Sequence, residues 1–545
     1  MDRRSGLELR YPNGLSSCLD FPNKDKPPSK PFSQHLRRRE DAVKAIRLAA
    51  LVAAIFVAAT LIASAGAGTG ASAPAVDLST DQAVINYLTS LGINSSGVVI
   101  QRGALNYAGP NCPGSGWTCT TSTKVVQVAQ PGGQNQVDCG AGASTIPDSY
   151  LTATLSQSQV NQLETAASLS LPISSCVAVQ GGGAQTNTAR CVMRDSTEPS
   201  TEICPTIVQA GTEDNPNASN RAFVLEVIDQ NMGPTMQTGT QRSNIKQTAR
   251  GGGRNFLHVI QYVKQSTNAD GPSQTQQEAQ LACSLQTSEA GSEFAQTIQS
   301  VAQKEQAKAA TDQSQNADPG TESCDPAVDG NGSFTTSSAN TFARVEQNST
   351  NGDLESHVNQ SHNLDARAPG GNQQQGSAAL DGGIQGKVFQ DSTGVARSFG
   401  VQNEDQNLVG NSPTITQKQF GPLLCCSTQT GGNPGDNVQL DLMSAQRAGT
   451  STSPSNDLVP AIPNPAADQE TLLIGTFETS GDGDVTNKAK QNEGSNMTSC
   501  PPGETPTDVG TACVLITYGL NGVFVPMCPS GEFFDIVTGM CEPSD

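Results

Sequence analysis

Glutamine recurs at the ends of short apolar runs through the middle of the chain, and this pattern restricts the fold more than any other feature. Residues 221–320 contain 17 glutamines, and runs such as 224–230 end in one. The stretch 256–265, FLHVIQYVKQ, alternates as a two-faced strand does. Stacked strands pair buried Asn and Gln side chains as ladders of amide hydrogen bonds. The sequence therefore predicts a mainly β protein with an irregular, β-solenoid-like Gln/Asn-rich region at 211–424.

The glutamine spacing suggests the size of the stacking unit. Gln347 and Gln360 are 13 residues apart, and Gln390 and Gln402 are 12 apart. A strand and turn of roughly 12–15 residues would stack on the next such unit, because one unit cannot bury an apolar face alone. Two alternatives remain at this point: a disordered polar tract throughout, or a helix at 286–310.

The same region resembles the curlin-type repeats of bacterial extracellular fibres. The resemblance rests on segments such as FARVEQNSTNG (342–352) and SFGVQNEDQN (398–407), in which Gln, Asn and Gly punctuate short strands. It implies stacked β structure, an extracellular location and self-association. Curlin units are more regular than these and carry fixed Gln and Asn at both ends of each strand.

An uncharged apolar segment indicates export. Residues 48–65, LAALVAAIFVAATLIASA, follow a basic stretch and end in small residues, as a secretory signal does. A retained signal anchor is the alternative, and it would give the only membrane contact. The basic extension before it is interpreted as an over-extended start, with synthesis beginning near Val43.

Fourteen of the fifteen cysteines lie beyond this segment, and an even count after a secretory signal predicts disulfides and no free thiol. Adjacent Cys425 and Cys426 are expected to reach elsewhere, for example Cys283 and Cys324, because neighbouring cysteines bridge each other only with strain. No metal site is predicted. The N-terminal candidates for disulfides are Cys112, Cys119, Cys139, Cys176, Cys191 and Cys204.

A Cys-rich α+β domain is predicted at 74–210. Ser79 is the expected N-cap of a helix that Gly92 ends. Strand-like stretches at 124–130 and 134–139 flank Pro131-Gly132-Gly133 and predict a hairpin. Tyr107 and Trp117 lie in a Gly- and Pro-rich loop. They form either a glycan-stacking platform or part of a disulfide-pinned structural loop.

The C-terminal residues 500–545 contain a duplication, C-P-x-G-E-x8-C, which predicts a small disulfide-stapled module. Local loops, Cys500–Cys513 and Cys528–Cys541, are preferred over crossed pairing. The second half, CPSGEFFDIVTGMC, is similar to the closing segment of peritrophin-type chitin-binding modules. That similarity implies glycan contact through Phe533, Phe534 and Asp535; a purely structural cap is the preferred interpretation of the module.

The net charge of −20 argues against a nucleic-acid partner, since phosphate binding needs clustered Lys and Arg. No common catalytic motif stands out, and His357 and His362 are interpreted as residues of a polar surface.

The sequence therefore predicts a secreted or cell-surface bacterial protein, structural or interacting, without enzymatic activity or cofactor. Its predicted partners are extracellular matrix, cell-wall glycan or other copies of itself; a secreted carbohydrate-binding protein is the alternative. The expected segments are 1–47, a basic extension; 48–73, the signal; 74–210, the Cys-rich domain; 211–424, the repeat region; 425–499, a Ser/Thr/Gly/Pro-rich linker; and 500–545, the duplicated module.

Overall fold

A computed structural model shows a predominantly β protein built from two long parallel sheets. It describes residues 77–409 apart from 168–171, 198, 212–214, 216, 232–235, 269–270, 317–339, 369–370 and 377–382, and it gives strand positions between 414 and 543. The expected signal segment at 48–65 lies outside these residues. No helix in the described part of the chain is long and apolar enough to cross a membrane.

Sheet A contains strands in the order β1-β4-β6-β8-β10-β12. Strand β12 then pairs both with the short strand β14, which is followed by β17, and with the longer strand β15, which is followed by β18. The described strands of sheet A are β1 (Val99–Gln101), β4 (Lys124–Ala129), β6 (Ser175–Gly182), β8 (Ser200–Ala210), β10 (Met236–Thr248), β12 (Ser273–Ser288), β14 (Asp312–Gln315), β15 (Thr341–Ser349), β17 (Asn372–Gln375) and β18 (Ile384–Ser392).

Sheet B holds the strands that lie between these in sequence, in the order β3-β2-β5-β7-β9-β11-β13-β16-β19. They are β2 (Leu105–Ala108), β3 (Trp117–Thr120), β5 (Gln134–Cys139), β7 (Thr186–Asp195), β9 (Ser219–Asn231), β11 (Arg254–Thr267), β13 (Glu293–Gln306), β16 (Leu354–Arg367) and β19 (Ala396–Val409).

Strands also occur in the C-terminal part of the chain, including the range expected to be a linker. They are β20 (Thr414–Thr430), β21 (Asn437–Thr450), β22 (Ile462–Pro463), β23 (Ala467–Ser480), β24 (Thr486–Ser495), β25 (Thr505–Pro506), β26 (Cys513–Leu520), β27 (Val523–Val525), β28 (Glu532–Asp535) and β29 (Met540–Pro543).

Consecutive long strands alternate between the two sheets, and this alternation makes the pairing parallel. After a strand in sheet A the chain crosses to sheet B, and it returns to sheet A running in its original direction. Neighbouring strands keep one register over long stretches: Asn255 of β11 lies between Asn220 of β9 and Glu293 of β13. The pairing of β8 with β10 and of β7 with β9 continues both sheets past residue 210 without a break.

The interior between the sheets combines apolar and amide columns. Small aliphatic side chains such as Ala222, Val224 and Val259 point inward and are fully buried. On strands such as β11, fully buried glutamines such as Gln261 take inward positions between them. Side chains at every second position of a strand face the same side, so each column repeats from strand to strand.

Two helical segments cover the outer faces of the sheets. Helix α1 (Asp81–Ser90) packs Val84 and Leu88 against valines of sheet A. Two 3₁₀ turns (Ala141–Thr145 and Asp148–Leu151) and helix α2 (Gln157–Ala167) pack on sheet B, where Leu163 shares a cluster with Phe223. The expected helix near residue 80 is confirmed, but it starts one residue late: Thr80 Oγ1, not Ser79, accepts the Ala83 N–H at 3.1 Å.

The predicted hairpin at 124–139 is wrong. Strand β4 pairs with β1 and β6, whereas β5 pairs with β2 and β7 in the other sheet. The Gly132 N–H donates to Gly183 O in the next turn of the chain at 2.9 Å. The turn therefore stacks on an equivalent turn and carries the chain across to sheet B.

Two expectations about the central region are also corrected. Residues 286–310 are not helical, because they contain the end of β12 and all of β13. The stacking unit is longer than predicted: Gln347 and Gln360 lie in opposite sheets, on β15 and β16. Gln209, Gln247 and Gln286, which do stack, are 38 and 39 residues apart, because one full unit contains two long strands and two turns.

Candidate functional site

Among the described residues, eight glutamines form one continuous ladder along sheet A from β1 to β18. In all but the first of them, Nε2 donates to Oε1 of the glutamine on the preceding strand at 2.7–2.9 Å. The other Nε2 hydrogen donates to a main-chain carbonyl of sheet B, as from Gln247 to Phe256 O at 2.9 Å. Stacking thus satisfies amides that burial alone would penalise. The ladder contains Gln101, Gln127, Gln180, Gln209, Gln247, Gln286, Gln347 and Gln390, all of them buried.

Five asparagines form a second ladder in sheet B with the opposite polarity. Each Nδ2 donates to Oδ1 of the asparagine on the following strand at 2.9 Å. The last of them reaches Glu293 Oε1 at 3.4 Å. Sequence reasoning missed this ladder, although each asparagine is the second residue of its strand and follows a turn. The members are Asn106, Asn135, Asn187, Asn220 and Asn255.

Both ladders are closed at the N-terminal edge of the sheets. Gln101 Nε2 donates to Tyr107 O at 3.0 Å and Thr118 O at 2.6 Å. Asn106 Oδ1 accepts the Gly103 N–H at 2.8 Å, and its Nδ2 also donates back to Gly103 O at 3.2 Å. The terminal amides therefore bond within the chain, and the edge strands β1 and β3 are only three and four residues long.

Five glutamates are buried between the sheets, where desolvation disfavours their charged form. Burial raises the pKa of Glu226 to about 8, against hydrogen bonds from Ser243 and Gln261 that lower it. Burial likewise raises the pKa of Glu404 to about 8. For the other three, burial raises the pKa well above the usual range; they are Glu278, Glu293 and Glu305.

Glu278, Thr341 and His362 form a buried polar cluster. Thr341 Oγ1 lies 2.7 Å from His362 Nε2 and 3.2 Å from Glu278 Oε1. Burial lowers the pKa of His362 to about 3 and raises the pKa of Glu278 well above its usual value, so desolvation disfavours the charged form of both side chains. All three side chains are almost fully buried, and no substrate can reach them.

Neither histidine singled out in the sequence belongs to an open polar surface. His362 is buried in this cluster. His357, on the outer face of sheet B, is partly buried and stacks on Phe399 with 4.8 Å between ring centroids. Its Nε2 lies 2.7 Å from Glu355 Oε1. The predicted polar exposure fails because the parallel strands place aromatic rings directly beside one another.

The structure forms two disulfides among the N-terminal cysteine candidates. Cys112 bonds Cys119, and Cys139 bonds Cys176. The second one links β5 of sheet B to β6 of sheet A across the interior. Cys204 and Cys283 are disulfide-bonded as well. The pairings expected for Cys324, Cys425, Cys426, Cys500, Cys513, Cys528 and Cys541 lie outside the described side chains.

Cys191 corrects the prediction that no thiol remains free. It is buried and unbonded, although its Sγ lies 3.3 Å from Cys176 Sγ. Cys191 stacks on Cys139 in register, so three sulfur atoms meet where only one disulfide forms. Within the described residues, these three cysteines are the group whose spacing fits a metal ion, but the disulfide uses two of the sulfurs.

Trp117 and Tyr107 lie together at the N-terminal edge of sheet B. Their rings meet edge to face with centroids 6.3 Å apart. Trp117 is partly exposed, whereas Tyr107 is buried. The glycan-platform hypothesis required both rings to contact a ligand. Because Tyr107 is buried, it instead packs against the indole and supports it. Phe533, Phe534 and Asp535 lie on strand β28, and their side chains fall outside the described part of the structure.

Comparisons with protein-family models, with curated proteins and with solved structures gave no match.

Proposed function

We propose that this chain is an exported bacterial structural protein of the cell surface, an irregular β-solenoid without enzymatic activity. The observation that carries the proposal is the unbroken ladder of eight buried glutamines. Such a ladder commits the interior to hydrogen bonding from one strand to the next, and it suits an elongated scaffold. The apolar segment at 48–65 and the disulfides support an oxidising location outside the cytoplasm.

The closed N-terminal edge favours a scaffold of fixed length over an open-ended fibre. Head-to-tail stacking of copies would need free donors and acceptors at both ends of the ladders. Gln101 and Asn106 instead bond to main-chain groups of their own chain. Partners of this scaffold, extracellular matrix or cell-wall glycan, would therefore bind its faces.

Protease shaving of intact cells tests the proposal. The full chain with a C-terminal epitope tag, made in a bacterial host, should lose the tag when protease is added outside. The matched control carries Leu51→Arg and Ile55→Arg, which interrupt the apolar segment and should keep the tag inside. Equal protection of the tag in both proteins would overturn the proposal.

The second candidate function is carbohydrate binding at the cell surface. The partly exposed indole of Trp117, held beside the Cys112–Cys119 disulfide, favours it, because indole faces stack on the C–H faces of sugars. Glycan-array binding that Trp117→Ala abolishes would support this candidate. Binding unchanged by that substitution would exclude the loop as the site.

A further inference from the structure

A groove on the outer face of sheet B has the chemistry of an anion site. It has a volume of about 460 Å³ and lies where β9 and β11 begin. Its lining includes Arg221, Arg254 and Phe256 from the sheet. Thr152 also lines it and belongs to residues 152–155, which lie over the sheet and are called the covering segment. The groove lies apart from the Trp117 loop, which sits at the sheet edge on β3.

The covering segment forms a fixed wall of this groove. His258 Nε2 lies 2.9 Å from Ala153 O. Gln296 accepts the Leu155 N–H at 2.9 Å and donates to Leu155 O at 3.1 Å. These contacts, from two different strands, hold residues 152–155 against the sheet. A site held this way needs little reordering when it binds a ligand.

Two guanidinium groups face the groove. Arg254 pairs in register with Ser219, and Arg221 pairs with Phe256, so the two arginines are diagonal neighbours on one face, roughly 7–8 Å apart at the backbone. Arg254 is exposed and has no hydrogen-bond or ion-pair partner among the described residues. Arg221 donates only a long bond from Nε to Ser219 Oγ, at 3.4 Å.

Glu289, on the adjoining turn, is already engaged. Glu289 Oε2 accepts the Gly251 N–H at 2.9 Å, and no ion pair joins it to either arginine. Among the described residues neither arginine has an ion-pair partner, although the chain carries a net charge of −20. The arginine forks are suited to bind a carboxylate with two parallel hydrogen bonds.

Phe256 adds an apolar surface beside the two cations. The rings of His258, Phe294, His357 and Phe399 contact one another along the outer face of sheet B. Phe256 is partly exposed and makes no such ring contact among the described residues. A partly exposed ring next to two guanidinium groups suits a sugar that carries a carboxylate.

We propose that this groove binds the carboxylate-bearing residues of an acidic polysaccharide. Arg221 and Arg254 hold the carboxylate, and Phe256 packs against the sugar ring. The proposal names a ligand class for the carbohydrate-binding candidate and rests on that candidate, not on the scaffold role. It places the contact in this groove instead of at Trp117.

Calorimetric titration of the purified full chain with trigalacturonate tests the proposal. Maltotriose, of the same length and linkage position but uncharged, is the matched ligand. We expect binding of trigalacturonate only, weakened as ionic strength rises. Arg254→Gln and Arg221→Gln should each weaken it about tenfold or more, the usual effect of losing a charged hydrogen bond.

Three further variants make the outcome decisive. Arg397→Gln removes an exposed arginine of the same sheet face away from the groove and should leave binding unchanged. Arg254→Lys keeps the charge but loses the fork, and should bind more weakly than the native chain. No binding by the native chain, or equal loss in Arg397→Gln, overturns the proposal. Loss in Trp117→Ala with unchanged binding in both Arg→Gln variants overturns it too, while retaining carbohydrate binding at the loop.

Discussion

A buried glutamine of the sheet A ladder is satisfied only while a neighbour stands on each side of it. Gln247 shows what this demands. Its Nε2 donates to Gln209 Oε1 and Phe256 O, and its Oε1 accepts from Gln286. One side chain therefore completes the hydrogen bonding of three other groups, all of them in the interior. Removing it exposes those groups to a desolvation cost that no water relieves.

Gln247→Leu should lower the free energy of unfolding by roughly 3–5 kcal/mol, since two or three buried polar groups lose their partners. Gln277→Leu is the control, because Gln277 lies on the partly exposed outer face of β12. It should change stability by less than about 0.5 kcal/mol. Denaturant unfolding measures both, and equal effects would contradict a stabilising role for the ladder.

Glu226 should make the protein less stable as the pH rises. Its folded-state pKa of about 8 lies above the ordinary value of 4.5. The associated stability is complete below pH 4.5 and is lost as the pH rises towards 8, because the unfolded chain releases the proton first. Glu226→Gln keeps the size of the side chain but removes its ionisable proton. The free energy of unfolding of this variant should therefore rise relative to that of the native chain as the pH increases across this interval. A constant difference between pH 4.5 and 8 would show that Glu226 is already charged.

At the scale of single elements, local chemistry predicts strands and helices but not the sheet each strand joins. The strand at 256–265 and the helix that Gly92 ends follow from alternation and capping, and both are present. The hairpin at 124–139 fails because Pro131-Gly132-Gly133 turns the chain equally well within a sheet or between sheets. Only the bond from the Gly132 N–H to Gly183 O, some 50 residues away, decides between them. The groove was invisible for the same reason, since its cations and its wall come from distant segments.

Turn glycines test the stacking of elements. Gly182, at φ +77°, stacks above Ala129, and a Cβ there would lie 2.5 Å from Ala129 O. Gly97 has a matching φ of +75° with no atom within 4 Å of its would-be Cβ. Gly97→Ala should therefore cost only the backbone strain, about 1–2 kcal/mol.

Gly182→Ala should cost at least about 1 kcal/mol more than that, because the clash with a main-chain oxygen adds to the strain. Thermal unfolding of the two variants separates the terms. Equal losses of stability in the two variants would mean that Gly182 is not packed against Ala129.

At the scale of the whole molecule, opposing buried groups set the conditions in which the fold is most stable. The raised pKa values of Glu226 and Glu404 reduce stability between about pH 4.5 and 8. His258 and His362, with pKa values lowered by burial to about 4 and about 3, reduce it as the pH falls below 6.5. The unfolded histidines take up protons first.

The two intervals overlap between about pH 4.5 and 6.5, where the five buried glutamates outweigh the two histidines, so the midpoint of denaturant unfolding should be highest at about pH 4–5. Denaturant unfolding curves recorded from pH 3 to pH 9 check this. His362→Asn should flatten the acid limb and leave the alkaline limb unchanged. A maximum at pH 8 or above would refute the assignment of neutral carboxyls.

The complete molecule should also carry a thiol that reagents reach only after unfolding. Cys191 is buried, and burial raises the pKa of its thiol far above the usual range. A maleimide should leave Cys191 unmodified in the native chain and label it in urea at mildly acidic pH, where disulfide exchange is slow. The Cys191→Ser variant identifies the labelled peptide. Labelling at Cys139 or Cys176 instead would show that the disulfide had moved.

The closed N-terminal edge also sets the order in which the strands can fold. A ribosome delivers the N-terminus first, so Gln101 and Asn106 can settle against Tyr107 O and Gly103 before later strands exist. From then on each new glutamine finds an acceptor already in place on the strand before it. The sheets can therefore form strand by strand from the N-terminal edge. Loss of an early ladder glutamine would then disturb the addition of every later strand, whereas loss of a late one would only shorten the ladder.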